Sequence, residues 1–179
     1  MSLIGWVLTI VTAPGVVVHE YTHAKLCEWA DVPIVEICYF QLGDPPGYVL
    51  HAEPESYRTT YLIGVAPFLV NTLVAAALFA TIPLLAGGAG GISDTGIAGW
   101  IVLWLGVSVA AHAFPSTGDA QSIWQQTKQQ YRSSPLALIG LPIVLIIYLA
   151  HVLSFFWFDF IYALALYVGV AMVLPGLIL

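Results

Sequence analysis

Apolar residues fill the chain in five long stretches, and polar residues interrupt them at only a few places. The first stretch runs from about Leu3 to Lys25 and is apolar as far as Val18. The second runs from about Tyr61 to Ala86, and the third from near Ile97 to His112. The fourth runs from about Leu136 to Phe155, and the fifth follows a short aromatic turn near Trp157-Phe158-Asp159. Stretches of this length and polarity predict membrane-spanning helices. Residues 28–58 break the pattern, with Glu28, Asp31, Glu36, Asp44, Glu53 and Glu55 set against a single Arg58. Within them, Val32 to Phe40 is rich in β-branched and aromatic residues, Gly43 to Gly47 is a turn cluster, and Tyr48 to His51 forms a return strand. That predicts a small β-hairpin at about 32–51. The expected fold is therefore an all-α polytopic membrane protein of about five transmembrane helices, with a β-hairpin between the first two.

Further punctuation refines this picture. Pro14-Gly15 lies inside the first stretch and loosens the helix there. Gly87 to Gly91 is a flexible loop. Pro115 disfavours continued helix after His112, and Ser116-Thr117-Gly118-Asp119 follows. A helix broken at membrane depth is tolerated only where protein or a water-filled cavity surrounds it. Residues 121–134 are polar with interleaved Trp124 and Tyr131, and read as an interfacial helix or loop. No repeat or low-complexity linker divides the chain, which predicts one domain over 1–179: a core to residue 120, the interfacial segment, and a two-helix hairpin over 135–179.

Composition agrees with lipid as the solvent, since the chain is 60% hydrophobic and only 8% charged, against about a quarter charged in soluble domains. The net charge of −6 argues against nucleic acid as a partner. Cys27 and Cys38 stand apart without a C-x-x-C spacing and are expected to be free thiols. The first residues carry neither a basic n-region nor a small-residue cleavage site, so no cleavable signal peptide is expected. All four basic residues (Lys25, Arg58, Lys128 and Arg132) fall on the same side of a five-span topology. The positive-inside rule makes that side cytoplasmic and the N-terminus external.

The candidate chemistry sits at the end of the first stretch, in His19-Glu20-Tyr21-Thr22-His23. Residues four apart share a helix face, so His19 and His23 point the same way and can hold a zinc ion. Glu20, beside the first, is placed to act as general base on water activated there. Polar groups at membrane depth are costly, which makes the cluster functional by default. Two histidines need a third protein ligand. Asp119 follows the break in the third stretch at the same cytoplasmic end, and is the best candidate. Asn71 is the strongly polar residue of the second stretch: an interhelical hydrogen bond, or a donor to a substrate backbone or developing oxyanion. His112 reads as about two turns before Asp119 on one helix. It is open between a partner behind a ligand, a substrate contact, a fourth ligand and a satisfied intramembrane histidine. His51 is a rival ligand in the hairpin; His151 is assigned no role.

Together these motifs resemble the site-2 protease family of intramembrane zinc metalloproteases. The resemblance covers roughly residues 3–120. It rests on His-Glu-x-x-His in a membrane helix and a later proline-broken span ending in a Gly/Asp turn, here Ala111 to Ala120. In the family the third ligand is the aspartate of an Asn/Pro-containing Leu-Asp-Gly motif. Here Gly118 precedes Asp119 instead of following it, and His112 stands where asparagine is usual. Ala66-Pro67-Phe68-Leu69-Val70-Asn71 resembles the family's Gly-Pro-x-x-Asn, with alanine for glycine and one extra residue. The family also carries a β-sheet after its first motif helix. The resemblance implies regulated intramembrane proteolysis of membrane protein substrates, with zinc held by His19, His23 and Asp119, and Glu20 as base. Two alternatives differ in class. A non-catalytic metal-binding membrane protein of the same fold would not need Glu20. A metal transporter would need polar residues continuing to the external face.

Overall fold

The computed structural model describes residues 3–87, 92–130, 135–154 and 157–177. The described residues are mostly helical, with seven α-helices and one two-stranded antiparallel sheet. The helices are α1 (Leu3–Val11), α2 (Ala13–Trp29), α3 (Tyr57–Leu85), α4 (Gly96–Ala111), α5 (Thr117–Gln130), α6 (Pro135–Ser154) and α7 (Phe158–Leu177). The strands are β1 (Ile34–Cys38) and β2 (Tyr48–His51). Among the described residues α3 is the one helix long and apolar enough to cross a membrane; the apolar helices Gly96–Ala111 and Phe158–Leu174 are shorter. The loop residues 88–91, the end of the polar segment at 131–134 and residue 155 lie outside the described residues.

The 29-residue α3 is the spine, about 43 Å long at 1.5 Å per residue. It starts at Tyr57 rather than Tyr61 because Ser56 caps it: the Ser56 side chain accepts from the Thr59 N–H at 3.1 Å. α2, α4, α5 and α7 all pack on it. Where α3 meets α4 and α7, the buried core is formed by Ala75, Phe79 and Ile82 of α3, Val109 and Ala110 of α4 and Ala163 of α7, and the Thr72 and Tyr162 hydroxyls pair at 2.6 Å.

Two expectations need correction. The first stretch is two helices, with Thr12 between them. Pro14 has no N–H to offer the preceding turn, so the hydrogen-bond ladder fails there. α4 repairs it from outside. Ser108 Oγ accepts from the Gly15 N–H at 2.9 Å and donates to the Thr12 carbonyl at 3.0 Å, and Trp104 Nε1 donates to the Val11 carbonyl at 2.9 Å. Second, His112 and Asp119 do not share a helix. α4 ends at Ala111 with His112 as its C-cap, and a new helix starts at Thr117. The segment read as interfacial forms the body of α5, which packs on α3 and α6. Ala120, Ile123 and Thr127 are buried on its inner face, while Gln121, Gln125 and Lys128 face outward.

The hairpin forms as expected, although β1 is five residues long, not nine. A bulge between Ile34 and Glu36 shifts the register, after which Glu36 pairs Leu50 and Cys38 pairs Tyr48. The Gln41 N–H donates to the Pro46 carbonyl at 2.7 Å and closes the connecting loop.

Gly15 is where α2 and α4 come closest: a Cβ there would stand 2.0 Å from the Ser108 carbonyl oxygen. Gly15→Ala is expected to destabilise the fold by about 1–3 kcal/mol, read as a lower unfolding midpoint in detergent. Gly169→Ala, in open space, leaves the midpoint unchanged or slightly raised.

Candidate metal centre

His19 and His23 lie one turn apart on α2 and are 6% and 5% exposed. Their Nε2 atoms face each other at 3.2 Å. The Asp119 carboxylate arrives from the first turn of α5, with Oδ1 3.4 Å from His23 Nε2. One ligand atom from each of the three lies within 4.8 Å of the other two, and the group can hold a metal ion. The structure thus brings Asp119 to two histidines that lie about a hundred positions earlier in the chain.

Each is held from behind. The His112 carbonyl accepts from His19 Nδ1 at 2.7 Å. A carbonyl only accepts, so Nδ1 carries the proton and Nε2 is left bare toward the metal position. The same carbonyl accepts from Asn71 Nδ2 at 2.9 Å, and Asn71 Nδ2 also lies 3.4 Å from the Val109 carbonyl. Asn71 is fully buried. Its side chain therefore ties α3 to the end of α4, the interhelical role among the two open to it.

His112 acts on the centre through its backbone. Its ring Nδ1 lies 3.1 Å from the Ser108 carbonyl, and the ring lines a cavity beside Glu20. Among the described residues the potential ligand group is His19, His23 and Asp119, without His112 or His51.

Asp119 is oriented by Ser116. The Ser116 N–H and hydroxyl both donate to Asp119 Oδ2 at 2.7 Å, and Ser116 Oγ lies 3.2 Å from the Asp119 N–H it caps. This is a capping box with aspartate at its third position. One carboxylate oxygen starts the helix, and the other faces the histidines. Burial pushes the Asp119 carboxyl up, but the neighbouring His23 and His19 and the Ser116 hydrogen bond outweigh it and hold it down at about 2. Close approach at Gly64 lets α5 in: a Cβ there would be 3.0 Å from Ile123 Cδ1 and 3.5 Å from Asp119 Cβ.

Glu20 lines two cavities that flank the centre. The smaller, about 280 Å³, is bounded by His19, His112, Phe114 and Asp159. The larger, about 470 Å³, is bounded by His23, Asp119, Ser122 and the whole of β2. Pro45 and Gly47 border both. A Cβ on Gly47 would stand 2.8 Å from Glu20 Cγ and from Val16 Cγ1, so the hairpin loop lies directly against the glutamate.

Ser116, Ser108 and Gly47 escaped the sequence reading. Ser116 had a signal, because Ser-x-x-Asp at a helix start is a capping pattern. Ser108 and Gly47 had none, since their roles come from chain segments remote in sequence.

No protein-family model, no curated protein and no solved structure matches this chain.

Ser116→Ala is expected to weaken metal affinity by about 10–100-fold, measured by competition with a chromophoric chelator. Ser116→Thr, which keeps both donors, retains most of it. Equal affinity in the alanine variant would mean that the Oδ2 hydrogen bonds do not set the ligand.

Proposed function

We propose that this chain is an intramembrane zinc metalloprotease of the site-2 protease type, hydrolysing peptide bonds in or beside a membrane helix of another protein. The observation that carries this reading is the convergence of His19, His23 and Asp119 next to Glu20 on a cavity wall. Tetrahedral zinc with Zn–N bonds of about 2.0–2.1 Å requires ligand atoms about 3.3 Å apart. The 3.2 Å between the two Nε2 atoms and the 3.4 Å to Asp119 Oδ1 fit that requirement. Three protein ligands leave a position open, as catalytic zinc sites do.

In this reading the α1–α2 pair, α3, α4, α6 and α7 make about five spans. The N-terminus is external, and the site opens toward the cytoplasmic side marked by the basic residues. When bound, zinc supplies Lewis acidity toward a peptide carbonyl and a water molecule. Glu20 takes one proton from that water as its oxygen adds to the carbonyl carbon. It then delivers the proton to the leaving nitrogen as the C–N bond breaks. Water enters through the larger cavity, which Asp44, His51, Gln121 and Ser122 make polar.

A helical substrate hides its carbonyls in its own hydrogen bonds, so it unwinds before it reacts. β2 supports this step. Tyr48, Val49, Leu50 and His51 line the cavity that also holds Asp119, where an extended chain can pair with the strand.

Glu20→Gln is expected to retain one zinc per chain and to abolish cleavage of a co-expressed membrane protein substrate. Asp119→Ala loses both zinc and cleavage. Continued cleavage by Glu20→Gln would remove the base assignment, and undiminished zinc affinity in Asp119→Ala would remove the third ligand.

A further inference from the structure

A third cavity, about 180 Å³, adjoins the larger one and shares His51 and Ser122 with it. It lies on the flank of the metal centre, and the chemistry assigned so far does not use it. Gln126, on its wall, is only 3% exposed. Gln126 Nε2 donates to the Pro54 carbonyl at 2.7 Å, and no protein group among the described residues satisfies Oε1. Turning the amide over would set two carbonyl oxygens against each other, so the orientation is fixed. A buried carbonyl oxygen left without a donor is costly, and it becomes an asset when a ligand brings one.

The rest of the lining sets the sign of that ligand. Glu53 contributes a carboxylate, and Asp44, Glu20 and Asp119 line the adjoining cavity. Among the described residues, no lysine or arginine lines either one. The space therefore offers acceptors and negative charge, and suits a cation with several N–H donors.

We propose that this side cavity is a specificity subsite that takes a lysine or arginine side chain of the substrate, flanking the bond held at the metal centre. The inference rests on the proteolytic reading and names the substrate feature it selects. Cytoplasmic flanks of membrane helices are enriched in lysine and arginine, so the chemistry of the cavity and that of the expected substrate agree. Glu53 supplies the charge. Gln126 Oε1 accepts one N–H at a depth where water competes poorly.

The test uses the full chain carrying Glu20→Gln, loaded with zinc in detergent, and labelled apolar peptides that differ only in a Lys-Lys, Arg-Arg, Ser-Ser or Glu-Glu flank. Fluorescence anisotropy reads binding. The basic flanks are expected to bind about tenfold more tightly than Ser-Ser. Glu53→Gln, at an exposed position that does not threaten folding, removes most of that preference, and Gln126→Met reduces it. Glu55→Gln, an exposed acid outside both cavities, leaves it intact. Equal binding of all flanks overturns the subsite, as does a preference that survives both Glu53→Gln and Gln126→Met. A preference that depends on Glu53, found with a chain whose intact Glu20 cleaves none of the peptides, supports the subsite and counts against proteolysis.

Discussion

The His112 carbonyl is the joint on which the centre depends. The last carbonyls of a helix have no partner within it, and in an apolar interior each must find a donor. At the end of α4 the donors come from two other helices: Asn71 on α3 and His19 on α2. The bonds that complete the α4 backbone are thus the ones that fix the tautomer and angle of His19, a candidate metal ligand. Stability and site geometry cannot be separated here. Removing either donor leaves a buried carbonyl half-satisfied and frees the imidazole to turn.

Close backbone approach makes that joint reachable. Gly15 brings α2 against α4 at Ser108, one turn before His112, and Gly64 admits α5 and with it Asp119. Small residues at helix crossings are the usual means of packing where lipid removes the hydrophobic drive between helices. Their effect here is positional. The break between α4 and α5 spans only residues 112–116, so α5 continues along α3 from where α4 stops. Pro115 ends one helix and Ser116 caps the next, and Asp119 is delivered one turn into α5 by that restart.

Much of this was legible in the sequence, for reasons that differ by element. The helix spacing of His19 and His23 is local, so it could be read directly, as could the β-rich run and turn cluster of the hairpin. Asp119 was reached by matching depths along two stretches, which works because chain ends at one side of a bundle are forced together. The split at Thr12 was only hinted at by Pro14-Gly15, because a lone proline leaves open whether a helix bends or breaks. Trp104 and Ser108 decide it from another helix. Asn71 and His112 stood out in the sequence as polar residues in apolar stretches, and the structure places both beside His19. Which atoms they would use was beyond reach: Asn71 works through its amide N–H and His112 through its backbone, and neither choice leaves a trace in residue identity.

The two cavities beside Glu20 differ in a way that bears on the proposed chemistry. The smaller adds Val16, Phe114 and Pro115 to His19, His112 and Asp159 and is the more apolar; the larger is walled by Asp44, Tyr48, His51 and Gln121 as well as Val49 and Leu50. Glu20, Pro45, Gly47 and Ser116 border both, so a chain reaching from the apolar side to the polar side passes the glutamate and the hairpin loop. On the proposed function, such a chain would leave the more apolar cavity at the point where its carbonyls must be exposed for reaction. In the proposed reading, a helix entering from lipid would lose its internal hydrogen bonds there, and the open edge of β2 would replace some of them on the polar side. On that proposal the cost of unwinding would be offset where the bond is cut, and the β-strand beside the candidate metal centre would have a use in a chain otherwise built of helices.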